Sequence, residues 1–289
     1  MATRVMDWYD QTKREMPWRD QEDPYKIWLS EIMLQQTQIT TVIDYYHRWL
    51  ERFPRIEDVA SASIDEVLKY WEGLGYYSRA RNFHKSCQEI VDAGGKIPRG
   101  IKEFQELKGV GPYIAAAVQS IAFNVPASVV DGNINRVASR FNAFSKPPLQ
   151  NKKDIQRFMD NMLDKKRPGD FNQAMMDLGR YICKPQNPLC NECPLEESCI
   201  AHKTGDQDMY PAKVAKKARP HYDVAVGIIC DGSKLLITKR KQDGLLGGLW
   251  EFPGGKIKNA EKIEFKFEED KKIFDPKEVY KDEPNPTKL

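Results

Sequence analysis

A chain of 289 residues, 40% hydrophobic and 30% charged with a mean hydropathy of −0.64, has material for a sizeable core but no apolar stretch long enough to cross a membrane. Its charged, amphipathic N-terminus lacks the apolar centre of a signal peptide, so a cytoplasmic protein is expected. The net charge of +3 neither establishes nor excludes a nucleic-acid partner; the whole excess sits in residues 1–220, because residues 221–289 balance at 13 basic and 13 acidic side chains.

Up to about Ile182 apolar residues recur at helical spacing, in Ile27–Leu34, Val42–Leu50, Ala115–Ala122 and Ile155–Leu163. Breakers at Asp23-Pro24, Phe53-Pro54, Gly73–Gly75, Gly94-Gly95, Gly109–Gly111 and Pro147-Pro148 divide these runs. Strand-like alternation is almost absent, so the region reads as many short helices. Thr204–Pro220 turns polar and basic, with Lys213, Lys216, Lys217 and Arg219, and reads as a linker. Beyond it, Tyr222–Cys230 and Lys234–Lys239 read as strands joined by the turn Asp231-Gly232-Ser233, with a Gly- and Pro-rich run, Gly244–Gly255, after them. The tail from Glu264 is highly charged and is expected to be frayed.

Four segments carry chemistry. In Pro24–Thr41, Glu31 sits among Ile27, Trp28, Ile32 and Leu34; it is either a partly exposed helix carboxylate or a buried one with a raised pKa, suited to general acid work. Leu107–Tyr113 ends one helix and starts another. Gly109 and Gly111 permit a tight turn, Pro112 suits a first helical turn, and the amides there can meet a phosphate. That is either a helix–hairpin–helix DNA-binding element or an ordinary connection. Asp131 follows about twenty residues later, before a helix containing Val137 and Phe141; it is a helix cap or a carboxylate kept ionised at a cleft by the helix end. Cys183, Cys190, Cys193 and Cys199, with gaps of six, two and five residues, suit a 4Fe-4S iron–sulfur cluster, with tetrahedral zinc as the alternative. Lys184 beside them is placed to meet a phosphate.

The cysteine spacing is that of the endonuclease III superfamily of DNA glycosylases, and hairpin plus downstream Asp is the shared pattern of helix–hairpin–helix glycosylases. Trp18-Arg19, Leu34-Gln35-Gln36-Thr37 and Gly73-Leu74-Gly75-Tyr76-Tyr77-Ser78-Arg79 sharpen the match: roughly residues 5–203 resemble the MutY-type adenine DNA glycosylases. Leu245–Lys256 resembles the start of that family's C-terminal Nudix-like domain. Gly255 and Glu261 have the spacing that opens a Nudix box, but no Arg-Glu-x-x-Glu-Glu follows, so pyrophosphatase chemistry is not expected.

The resemblance implies a mainly α, two-module helix–hairpin–helix glycosylase fold over residues 1–203, with residues 22–130 as the hairpin module and residues 1–21 plus 131–203 as the cluster module. Residues 204–220 would be the linker and residues 221–289 a partial α+β Nudix-like region that reads the lesion. It implies a monomer acting on double-stranded DNA that holds adenine opposite 8-oxoguanine or guanine. Glu31 would protonate the base and Asp131 would stabilise the sugar cation, with Tyr113 and Asn133 orienting them. Trp18, Arg19 and Leu34 would form the adenine pocket. Gln36 and Tyr76, unless Tyr76 and Trp18 are core aromatics, would fill or wedge the gap in the duplex; Thr37, Gly109 and Gly111 would touch DNA. Where the lyase branch of the superfamily has a lysine, this chain has Tyr113, which points to simple hydrolysis. A bifunctional glycosylase/lyase and a non-catalytic DNA-binding module are the competing readings.

Overall fold

The computed structural model describes residues 1–213, 220–241, 246–257 and 271–274, and the chain divides into two compact units, Met1–Ala215 and Lys216–Leu289. The described part of the first unit is helical, and three of its helices start at a side chain that caps them, Asp23, Ser63 and Asp131. α2 (Pro24–Met33) is capped by Asp23, which accepts from the Tyr25 amide at 2.9 Å, with Pro24 in its first turn. Between it and the hairpin lie α3 (Ile39–Arg52), α4 (Ile56–Ser61), α5 (Ile64–Trp71) and α6 (Ser78–Asp92). α7 (Ile101–Gln105) and α8 (Pro112–Phe123) form the hairpin, and α9 (Gly132–Phe141) starts at Asp131.

Two hydrophobic clusters organise this unit. The first is aromatic: Trp28, Trp49, Trp71, Phe53, Phe83 and Phe104 are fully buried. Trp28 meets Phe83 edge to face at 4.6 Å and Trp49 meets Trp71 at 5.7 Å, the geometry ring quadrupoles favour. The second gathers Val5, Met6 and Tyr9 with Val137, Met159, Phe171, Met175 and Leu178. It joins the N-terminal helix to the later helices: α1 (Ala2–Thr12) lies against α11 (Pro168–Asp177), and α10 (Lys152–Met162) against α9. Trp18 belongs to the first cluster, and α8 serves both: Ala115 and Val118 face one, Ala116 and Ala117 the other. Small residues allow that sharing. A Cβ on Gly169 would stand 2.7 Å from the Ile121 Cα and 2.8 Å from the Ser120 carbonyl, so α11 meets the backbone of α8 directly.

After α11 the chain makes a π-helical turn, Leu178–Ile182, then the cysteine loop and α12 (Ile200–Thr204). The start of the expected linker is tied to the helices: the carbonyls of Gln207 and Tyr210 accept from Arg140 Nε at 2.9 and 3.2 Å. The rest of it, with Lys216, Lys217 and Arg219, lies outside the described residues.

In the second unit, β1 (Val224–Val226) pairs antiparallel with β5 (Gly254–Lys256). β2 (Cys230–Asp231) turns at Gly232, φ +61°, into β3 (Lys234–Lys239), which also pairs with β4 (Trp250–Glu251) and β6 (Lys271–Phe274). Two expectations are corrected. The single strand Tyr222–Cys230 is two short ones in different sheets, because the chain leaves one ladder at Gly227, whose amide bonds to the Pro253 carbonyl at 2.8 Å, before it enters the next. And the charged tail is not frayed throughout: residues 271–274 add to β3 in the register Leu235↔Phe274 and Leu236↔Ile273. Four residues are too few for period-two alternation to stand out in a sequence; the partner strand makes them a strand. Gly244 and Leu245, Glu261, and the tail on either side of β6 lie outside the described residues.

Candidate active site

A cavity of about 110 Å³ is lined from both clusters of the first unit, and Glu31 and Asp131 share it. Glu31 lies in α2 on the face that also carries Ile27 and Trp28, and is 6% exposed. Burial pushes its carboxyl up to about 7, reinforced by the charge of Asp131 and opposed by a hydrogen bond from Tyr113 and by Arg19. Tyr113 stands in the first turn of α8, immediately after Pro112, and its hydroxyl donates to Glu31 Oε2 at 2.8 Å. Burial holds the phenol pKa well above its ordinary value, so the group stays a donor.

Asp131 both caps a helix and lines the cavity. It caps α9, accepting from the Ile134 amide at 2.7 Å, and its other oxygen, Oδ2, accepts from Asn133 Nδ2 at 3.0 Å, while the carboxyl faces the cavity. Burial and the helix end act on this carboxyl in opposite directions. Burial raises its pKa, and the Ile134 and Asn133 hydrogen bonds and Arg136 only limit the rise.

Behind these groups the side chains are anchored. Arg136 donates from Nη2 to Asn133 Oδ1 at 2.9 Å and to the Gly179 carbonyl at 2.7 Å, and from Nε to the Cys183 carbonyl at 2.7 Å. A Cβ on Gly179 would stand 2.6 Å from that of Asn133, so the π-helical turn rests directly on the residue that orients Asp131. Arg19 reaches the cavity, yet its guanidinium is bound to Asp177 at 2.7 Å, with both side chains under a tenth exposed.

Trp18 and Leu34 also line the cavity. Trp18 is buried edge to face against Tyr46 at 5.5 Å, so it is a core aromatic and a cavity wall at once. Gln36 and Tyr76 are exposed and line a wider groove of about 600 Å³ that shares Glu31, Leu34, Tyr113 and Asp131 with the cavity. Tyr76 is therefore not a core residue. Thr37 lines neither; its hydroxyl donates to the Gln35 carbonyl and accepts from Arg79. Gly109 and Gly111 also lie outside both. Gly109 has φ +86° and a Cβ there would meet Asn82 Cβ at 2.8 Å, whereas Gly111 caps α8 with open space beside it.

Gln173, Met176, Asp177 and Arg180 line the cavity and were not singled out in the sequence. The signal was present: their spacing is that of one helical face, i, i+3, i+4 and i+7, with polar groups where buried apolar ones flank them. The π-helical turn that aims Arg180 has no such signature.

The four cysteines wall one small apolar cavity together with Val137, Phe141, Ile182 and Leu195. Arg140, almost fully buried, donates to Cys183 Sγ at 3.4 Å and to the Lys184 and Pro185 carbonyls at 2.6 and 3.1 Å. Gln207 Nε2 lies 3.8 Å from Cys190 Sγ. Burial pushes the Cys193 thiol up to about 12 and raises Cys190 and Cys199, so protons would have to leave for these groups to bind a metal. Among the described residues no three His, Cys, Asp or Glu groups close around a single ion. No helix is long and apolar enough to cross a membrane, among the same residues.

The chain is similar to known proteins along most of its length. Residues 29–163 match the family described as HhH-GPD superfamily base excision DNA repair protein, and residues 224–284 match the NUDIX domain family. The adenine DNA glycosylase of Rattus norvegicus is 37% identical over 304 residues, covering 86% of this chain and 59% of its own length. That of Buchnera aphidicola subsp. Baizongia pistaciae is 35% identical over 256 residues, covering 86% of this chain and 72% of its own. The chain thus spans about three fifths of the rat relative's length. Among solved structures, a thermostable thymine-DNA glycosylase superposes with a TM-score of 0.65 at 28% identity, covering 70% of this chain and 95% of the other. An endonuclease III–DNA complex gives 0.59 at 25% identity, covering 70% and 94%.

Proposed function

The chain belongs to the adenine DNA glycosylase family, and from that premise we propose that it hydrolyses the N-glycosidic bond of adenine paired with 8-oxoguanine or guanine in double-stranded DNA. One observation carries the reading: a buried carboxyl with a pKa near neutrality, Glu31, shares a cavity with a second carboxyl, Asp131, that is tied to a helix N-terminus. A base inside a duplex cannot reach such a cavity, so adenine must be turned out of the stack into it.

Glu31, protonated near neutral pH, gives its proton to the adenine ring nitrogen and makes the base a better leaving group. Tyr113 holds the carboxyl in place through its 2.8 Å hydrogen bond. As the glycosidic bond breaks, Asp131 stabilises the positive charge on the sugar, and water completes the hydrolysis. This is the division of labour of two-carboxylate glycoside hydrolysis. Asn133 fixes the Asp131 carboxylate. Trp18, Arg19 and Leu34 hold the flipped base, Gln36 and Tyr76 enter the gap it leaves, and the hairpin turn at Gly109 and Gly111 meets a phosphate through its amides.

No lysine is among the residues that line the cavity, which favours hydrolysis over the lyase alternative. The four cysteines suit a 4Fe-4S cluster better than zinc, because all four line one cavity and only one of their gaps has the close two-residue spacing that a zinc ribbon uses twice. Cys183, Cys190, Cys193 and Cys199 would hold the cluster. When bound, the cluster supplies a cross-link of its loop, and Lys184 is then presented to phosphate. The second unit is assigned to reading the base opposite adenine.

The deciding assay is incubation with duplexes holding A opposite 8-oxoguanine and A opposite G, followed by alkali. Strand breaks at adenine only after alkali are expected. Breaks without alkali, with a DNA adduct trapped by borohydride, would establish the lyase reading instead. No release of adenine from either duplex would leave a DNA-binding module.

A further inference from the structure

Two exposed tips at the mouth of the cavity are built against backbone preference. Gln36 and Tyr76 both sit in the left-handed region, at φ +57° and +47°, which is unfavourable for any residue with a Cβ. They come from different loops, one after α2 and one before α6, yet line the same groove. Conformations of this kind persist only when the surroundings over-determine them.

A single side chain does so for both. Arg79, in the first turn of α6, sends Nη1 to the carbonyls of Ile32 at 2.8 Å, Met33 at 3.0 Å and Gln35 at 2.6 Å. Its Nη2 reaches Thr37 Oγ1 at 3.3 Å and the carbonyls of Leu74 at 3.1 Å and Gly75 at 3.2 Å. One guanidinium therefore bonds to the residues on either side of Gln36 and to the two that precede Tyr76. The Arg79 amide closes the second loop by donating to the Tyr76 carbonyl at 2.9 Å. The cation also lies over the rings of Tyr76 and Trp71, at 5.5 and 5.2 Å. Its acceptors here are neutral oxygens, five of them backbone carbonyls, two from the C-terminal turn of α2 where the helix dipole is negative. Such a set fixes geometry; a surface ion pair would not.

We propose that Arg79 is a positioning residue that clamps Gln36 and Tyr76 into one rigid two-tipped wedge, so that both enter the duplex together as adenine leaves it. The inference rests on the function proposed above. It requires a planar fork that reaches two loops at once, which an ammonium group cannot reproduce.

The test is a mutant cycle read by single-turnover excision. Arg79→Met should slow excision about tenfold or more in the otherwise unaltered chain, but less than about twofold in a chain that already carries Gln36→Ala and Tyr76→Ala, where the clamp has nothing left to hold. Arg79→Lys should show the same pattern, and serves where the Met variant does not fold. With 2-aminopurine, a fluorescent adenine analogue, at the target position, the Arg79 variants should lose the rise in fluorescence that accompanies unstacking. Equal losses in both backgrounds would overturn the proposal, since Arg79 would then support the fold alone. With Arg79 intact, the losses from Gln36→Ala and Tyr76→Ala should be less than additive; strictly additive losses would overturn it as well. An unaltered chain that excises no adenine would overturn the proposed function itself, a result distinguishable from both.

Discussion

The two units use their aromatic and branched residues in opposite ways. In the helical unit Trp49 and Trp71 are fully buried and stack edge to face. In the sheet unit Trp250 is 42% exposed and Val224, Val226 and Ile228 are 58–69% exposed. A fully buried tryptophan contributes its whole transfer free energy and dense contacts, whereas one that is 42% exposed contributes less transfer free energy. The difference teaches where acid chemistry can be housed. A carboxyl rises toward neutrality when close packing removes water from it, and Glu31, only 6% exposed although it faces the cavity, has that packing in α2 beside Ile27 and Trp28.

The largest effect that should follow from this contrast is on catalysis. Glu31→Gln should reduce excision by about a thousandfold or more while mismatch affinity changes little, because the proton acts at the transition state. A matching loss of affinity, measured by gel shift on a substrate that is not cleaved, would break the assignment.

Next is packing. Trp49→Ala should cost about 3–5 kcal/mol and Trp250→Ala about 1 kcal/mol or less, by denaturant unfolding. Similar costs at the two sites would erase the contrast between the units.

A smaller effect is the pH dependence of stability at Glu31. Its folded pKa, about 7, exceeds the ordinary 4.5, so the folded state holds a proton that the unfolded chain has lost between those values. The contribution is fully present below 4.5 and is lost as pH rises through about 7. Glu31→Gln should therefore stabilise the protein at pH 8, by something on the order of 2 kcal/mol, and much less at pH 5. Thermal unfolding of both proteins across that range would show it; a constant gap would mean that burial does not set this pKa.

The smallest effect sharpens the comparison from the other side. Removing residues 221–289 should leave single-turnover excision opposite guanine within about twofold, because the chemistry is lodged in the helical unit, while the preference for 8-oxoguanine shifts several-fold through the loss of a few contacts. A collapse of excision opposite guanine would show that the sheet unit supports the cavity.

Much of the site was legible because its residues are local signals. Pro112 after Gly111 and Asp131 before α9 announce helix starts, and those caps bring Tyr113 and the Asp131 carboxyl to the cavity. The four cysteines announce themselves by spacing. Thr37 stands beside Gln36 in its motif, and its hydroxyl accepts from Arg79, 42 residues on in the first turn of α6, a contact the motif does not show. Arg79 was seen only as part of a motif, since six bonds to oxygens of two separate stretches, the end of α2 with its following loop and the loop before α6, leave no trace in one-dimensional periodicity. The split of Tyr222–Cys230 was hidden for the same reason, as the choice of ladder depends on which partner strand arrives.

What the sequence determined by itself is the set of short helices, the capped termini and the types of donor and acid available, all of which depend on residues within a turn or two of one another. The tertiary structure decided how those groups behave. It placed Glu31 where burial raises its pKa toward neutrality and let that same burial outweigh the helix cap at Asp131. It also brought the face of α11 and the π-helical turn to the cavity wall and joined two loops through one guanidinium. Desolvation and long-range hydrogen bonds depend on what surrounds a group in three dimensions, and that is set only when distant segments meet.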